Sequence, residues 1–88
     1  MPTIVARHRV GDIDTWIKGH QERVAIFAPA VSDFKTFQDS EDPNSVLLVL
    51  EVTNVEMLVE IVQSPKNAGL KIKHTVLEPI IMSMPVDL

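Results

Sequence analysis

Three histidines and a lone tryptophan are the side chains of this 88-residue chain best suited to chemistry. His8 sits among apolar residues in a run that reads as a strand. An imidazole titrates near neutrality, so it can move a proton or hold a ligand; equally, a core histidine can be satisfied by a neighbouring side chain or a water. His20 follows Trp16 by one helical turn, a spacing that points both rings towards the same neighbour. An indole and an imidazole lining one cleft would bind a flat aromatic molecule by stacking. The simpler alternative makes Trp16 the largest core residue, with His20 at its flank. His74, near the end of a predicted helix, suits the negative end of the helix dipole, and it is retained as a ligand-binding candidate. Arg7 and Arg9 share one strand face, and Glu51 lies on a strand expected beside it. An Arg7–Glu51 pair could anchor a carboxylate substrate or lock two subunits together.

Other chemistries lack their residues. The chain has no cysteine, which excludes disulfides, thiolate ligands and a thiol nucleophile. His8, His20 and His74 fall on separate elements without a paired-histidine spacing, so no metal site is expected. No glycine-rich phosphate loop is present. Ser32, Ser40, Ser45 and Ser83 lack the context of a nucleophile. No cofactor is expected. The net charge of −4 is spread along the chain without a basic block, which argues against nucleic acid or anionic membrane as partners. The start of the chain lacks the pattern of a signal peptide, and its longest apolar run is too short to span a bilayer. A cytoplasmic protein of one domain is expected.

Thr3 to Val10 alternates as a strand, with Ile4, Ala6, His8 and Val10 on one face and Thr3, Val5, Arg7 and Arg9 on the other. Gly11 ends it, and Asp12 is a good N-cap. Ile13, Trp16, Ile17, His20, Val24 and Phe27 then recur at helical spacing as far as Pro29. Val31 to Gln38 reads as a second strand, and the opposite parity of Phe34 and Phe37 requires either two covered faces or a bulge. A polar turn, Asp39 to Ser45, leads into Val46 to Val52. That strand is apolar on both faces and therefore buried on both. Thr53 and Glu56 fit a capping box, with Asn54 as the rival cap. Met57, Leu58, Ile61 and Val62 form the stripe of the next helix. Ser64-Pro65 ends it and starts a short helix from Lys66 to His74. Pro79 opens a last strand, Ile80 to Val86.

The order β-α-β-β-α-(α)-β predicts a ferredoxin-like α+β domain with a short extra helix before the last strand. Helices cover one sheet face. The other carries too much apolar surface for water, so a homodimer through the open sheet face is expected.

Two stretches also resemble a known group. Arg7-His8-Arg9-Val10-Gly11-Asp12-Ile13-Asp14-Thr15-Trp16 resembles the first strand and helix start of small dimeric α+β barrel proteins related to the antibiotic biosynthesis monooxygenase-like group. Asp42-Pro43-Asn44, the apolar strand and the helix closing at Ser64-Pro65 resemble their second half. The resemblance implies two sheets paired into a barrel, with small-molecule sites between sheet and helices. Relatives often carry Ala-Gly-Val after the short helix, where glycine suits a left-handed cap; His74-Thr75-Val76 occupies that place here. The constellation of haem-degrading relatives is not matched. By this analogy the protein is a cofactor-independent oxygenase acting on an aromatic or quinol-like substrate. His8 or His20 would be the base and Trp16 would line the pocket. A non-catalytic ligand-binding or accessory protein of the same fold is the alternative.

Overall fold

The structure is a computed structural model that describes residues 2–86. Strand β1 (Thr3–Val10) is followed by helices α1 (Ile13–Lys18) and α2 (His20–Phe27), then strands β2 (Val31–Gln38) and β3 (Ser45–Val52). Helix α3 (Val55–Gln63), a 3-10 turn (Pro65–Asn67), helix α4 (Ala68–Lys73) and strand β4 (Val76–Ser83) complete it. The four strands form one antiparallel sheet in the order β2-β3-β1-β4, which is the expected ferredoxin-like α+β arrangement. Among the described residues no helix is long and apolar enough to cross a membrane.

Strand parity decides the layers. Ile4, Ala6, His8 and Val10 on β1, and Val46, Leu48, Leu50 and Val52 on β3, are all buried beneath the helices. Their odd-numbered neighbours face the open side. Trp16 and Leu58 close the core from above, each about as buried as the central strands. Full burial of such side chains stabilises by roughly 1.5–3 kcal/mol each. Phe34 and Phe37 face opposite sides of the sheet in a regular ladder, and a bulge between Val31 and Asp33 brings Val31 onto the side of Phe34. The register sets Phe34 opposite Leu50 on the helix side and Phe37 opposite Leu47 on the open side.

Short polar side chains set the helix starts. Asp12 accepts from the amides of Asp14 and Thr15 at 3.1 and 3.3 Å. Ser64 Oγ accepts from the Lys66 amide, with Pro65 at the first position of the turn. At α3 the cap is Asn54, whose Oδ1 accepts from the Met57 amide at 3.0 Å. The Thr53–Glu56 box is not used, because the extended backbone of Asn54 (φ −148°, ψ 99°) puts its side chain in the capping position.

Three boundaries differ from expectation. The first helix is broken at Gly19, whose ψ of 1° interrupts the helical repeat. This leaves Ile17 half exposed and off the buried stripe. The last strand begins at Val76 and contains Pro79 rather than starting from it. The ladder tolerates the proline because β4 bulges there: Arg9 pairs with Leu77 and Arg7 with Ile81, so residues 78–80 face the single residue His8. Finally, Thr75 adopts the left-handed conformation, φ 59°. Its hydroxyl donates to the Asp12 carbonyl and accepts from the Asp12 amide, both at 3.1 Å. These bonds tie the end of α4 to the start of α1 and hold a β-branched residue in a costly backbone region.

Candidate functional site

A cavity of about 80 Å³ lies between the sheet and α2, α3 and α4. Its walls are mainly apolar, with Ile26, Leu48, Leu50, Leu58, Ile61 and Val62 among them. Three chemically capable side chains enter it: His8 from β1, Arg23 from α2 and His74 from the end of α4. All three are buried, at 6%, 6% and 4% relative exposure. Lys71 lines the cavity as well and pairs with Glu78 at 3.4 Å.

His8 lies on the helix side of β1, the point the sequence left open. Its Nδ1 is 3.0 Å from the Arg9 carbonyl oxygen. A carbonyl only accepts, so Nδ1 carries the proton and Nε2 keeps its lone pair. Burial lowers the pKa of His8 below its ordinary 6.5, with a smaller contribution from the nearby Arg23 charge; the Arg9 carbonyl and Glu78 oppose the shift. At neutral pH the ring is an uncharged base. It meets Trp16 edge-on, with 5.9 Å between ring centroids.

Arg23 was not singled out from the sequence. Its guanidinium stacks over the Trp16 ring, 4.0 Å from the centroid. Nη1 lies 3.2 Å from His74 Nδ1. Arginine has only donors, so His74 Nδ1 must accept, and the His74 proton sits on Nε2. That proton is donated to Glu22 Oε1 at 3.0 Å. Glu22 in turn accepts from Lys73 at 3.2 Å, which with its bond to His74 keeps its carboxyl below the usual range. The relay Lys73–Glu22–His74–Arg23 therefore runs from the surface into the cavity. Burial pushes the Arg23 guanidinium down to about 10, against a smaller opposing effect of Glu22; it remains a cation at neutral pH. Its Nε and Nη2, and the Trp16 indole nitrogen, are buried with no hydrogen-bond partner among the described residues. Buried donors in that state are rare in folded proteins and mark sites of function or bound solvent.

Gly19 lets His74 enter. A Cβ at Gly19 would stand 2.7 Å from His74 Nε2 and 2.8 Å from two ring carbons. The break between α1 and α2 thus falls where the backbone of one element meets the ring of another.

The other predicted site residues lie elsewhere. His20 packs edge-on against Phe34, ring centroids 5.9 Å apart, and lines a separate groove with Gln21 and Val24. The expected Trp16–His20 pair is replaced by Trp16 with His8 and Arg23, because the turn at Gly19 rotates His20 out of phase with Trp16. Arg7 and Glu51 are on the open face. Arg7 pairs with Leu47 and Glu51 with Thr3, whose hydroxyl donates to the Glu51 carboxylate. Four residues of strand separate the two, roughly 13 Å, so the Arg7–Glu51 pair does not form and neither residue reaches the cavity. No periodicity marked Arg23 in the sequence, because the break at Gly19 separates its helix from that of Trp16.

The fold is that of the antibiotic biosynthesis monooxygenase-like proteins. A protein of Bordetella bronchiseptica assigned to that group superposes with a TM-score of 0.75 at 17% identity, over 99% of this chain and 96% of its own. SnoaB, a cofactor-independent oxygenase from Streptomyces nogalater, matches with a TM-score of 0.72 at 14% identity, over 99% and 92%. A further antibiotic biosynthesis monooxygenase matches at 0.71 and 15% identity over the whole of this chain and 99% of its own. No protein-family model matches the sequence, and no curated protein matches it. At these identities the likeness is one of fold.

Proposed function

We propose that this protein is a cofactor-independent, monooxygenase-like enzyme acting on an electron-rich aromatic substrate of the quinol type. The observation that carries the reading is His8: an uncharged imidazole with its Nε2 lone pair unengaged, in an apolar cavity beside a buried cation. Such a substrate needs its hydroxyl deprotonated before it can pass electrons to dioxygen. His8 Nε2 takes that proton, and the positive field of Arg23 favours the anion left behind. A ring carbon then bonds to one oxygen atom, the O–O bond breaks, and the other oxygen leaves as water. Quinol plus dioxygen becomes hydroxyquinone plus water, so the substrate itself supplies the electrons and no external reductant is required. SnoaB, with the same fold, is a cofactor-independent oxygenase, which favours this chemistry. The reading includes a cytoplasmic homodimer, formed by closing the open sheet face against a second copy, and a small-molecule ligand in the cavity.

One observation favours a non-catalytic binding protein instead. The cavity, about 80 Å³, is well below the roughly 300–1,000 Å³ of common ligand sites, so a sizeable substrate requires its walls to move. Oxygen uptake with a soluble quinol separates the two readings. His8→Gln removes the base and keeps a polar side chain of similar reach; we expect turnover to fall by about a hundredfold or more, with the circular dichroism spectrum unchanged. Equal turnover in wild type and variant would remove His8 from the mechanism. Absence of turnover across a panel of quinols would favour the binding protein.

A further inference from the structure

We propose that the free edge of Arg23 is a carboxylate subsite, so that the ligand of the cavity is a planar aromatic acid rather than a neutral ring. The inference rests on reading this cavity as the substrate site.

The argument starts from which guanidinium nitrogens are taken. His74 accepts from Nη1. The two that remain, Nε and Nη2, are the pair on the opposite long edge of the guanidinium, whose N–H bonds run nearly parallel. That edge matches the two oxygens of a carboxylate in bidentate fashion. Both nitrogens are buried without a partner among the described residues, and the whole side chain is 6% exposed. The plane of the fork is fixed from two sides: Trp16 lies against its face at 4.0 Å, and His74 holds its far corner. Little ordering entropy is left to be lost on binding, the condition that favours tight recognition.

The charge points the same way. The only carboxylate in the relay, Glu22, reaches Arg23 through His74 and is already engaged by Lys73. A buried cation is costly unless paired, and here no carboxylate touches it directly among the described residues. An incoming carboxylate would satisfy two orphaned donors and the charge in one step. The cavity walls, with Ile26, Leu58 and Ile61 among them, suit the apolar body of such a ligand. A neutral ligand of the same shape would leave the fork unmet.

The probes are 2,5-dihydroxybenzoate, a quinol bearing a carboxylate, and its neutral isostere 2,5-dihydroxybenzamide. Trp16 is the only tryptophan, so the protein gives one indole N–H cross-peak, and that peak reports from beneath the guanidinium. We expect the acid to shift it saturably and the amide to bind at least about tenfold more weakly, as loss of a charge-assisted pair implies. This comparison needs only the wild-type protein. Arg23→Lys keeps the charge and loses the fork, and it should weaken the acid by about tenfold or more and the amide by much less. Equal binding of acid and amide, no binding of either, or undiminished binding of the acid to Arg23→Lys would each overturn the inference. Oxygen uptake on the same samples keeps the two readings apart. Tight, fork-dependent binding without uptake supports the subsite and removes the oxygenase. Equal uptake with the acid and the amide, unchanged for both by Arg23→Lys, supports the oxygenase and removes the subsite.

Discussion

Gly19→Ala should destabilise the protein, although helix propensity alone predicts the reverse. Replacing glycine by alanine inside a helix gains about 0.8–1.0 kcal/mol, and the backbone of Gly19 (φ −82°, ψ 1°) is open to any L-residue. The obstacle is tertiary. The added Cβ would sit 2.7 Å from His74 Nε2 and 2.8 Å from its Cδ2 and Cε1, so the ring must retreat by roughly 0.7 Å to reach normal contact. An exposed ring would swing away at little cost. This one is held at both nitrogens, by Glu22 at 3.0 Å and Arg23 at 3.2 Å. Overpacking costs about 1–3 kcal/mol, and breaking a hydrogen bond to a charged partner about 1.5–3 kcal/mol. Set against the propensity gain, the net loss is about 1.5–5 kcal/mol. Urea unfolding followed by Trp16 fluorescence, at fixed protein concentration, should show a midpoint about 1–2 M below wild type. A variant as stable as wild type, or more so, would mean that His74 is not pinned, and the relay to Arg23 would lose its structural basis.

Other consequences follow from the same contacts. Because burial lowers the pKa of His8, the unfolded chain binds more protons than the folded one at acid pH; stability should therefore fall as pH drops below 6.5 towards the folded pKa. His8→Gln should flatten that part of the profile, and an unchanged slope would assign it to other groups. At Thr75, valine keeps the strain of the left-handed backbone but loses both bonds to Asp12, whereas glycine loses the bonds and relieves the strain. Thr75→Val should thus be the less stable of the two by about 1 kcal/mol in urea melts; the opposite order would show that strain is not stored there. On the open face, Phe37, Leu77 and Ile81 are each about half exposed. Light scattering should give a dimer for wild type and a monomer for Ile81→Lys at micromolar concentration, and a monomeric wild type would defeat the assembly argument.

The legible features were those that depend on neighbours along the chain. The alternation of β1 grouped His8 with Ile4, Ala6 and Val10, and that of β3 grouped Leu48 with Leu50, without any coordinates, since strand side chains alternate whatever the strand packs against; the side of the sheet that each group faces was left open. The stop at Gly11, the cap at Asp12 and the turn at Ser64-Pro65 were readable for the same reason. The candidate site was legible only in part. His8 stood out as an imidazole in an apolar strand, but the ring beside Trp16 was expected to be His20, because the two are four apart and an unbroken helix would put them on one face. Arg23 was passed over because a charged residue on a helix is ordinarily assigned to water.

By itself the sequence determined the order of elements, which residues of a strand share a face and the absence of thiol chemistry, since these follow from local geometry and composition. The tertiary structure alone decided that Arg23 is buried, that His74 meets it from fifty-one residues away, and that Arg7 and Glu51 stand apart on the other side of the sheet. The physical reason is that burial and pairing are properties of two surfaces brought together. A break at one glycine changes the phase of a helix, and with it the identity of the side chain that enters the cavity.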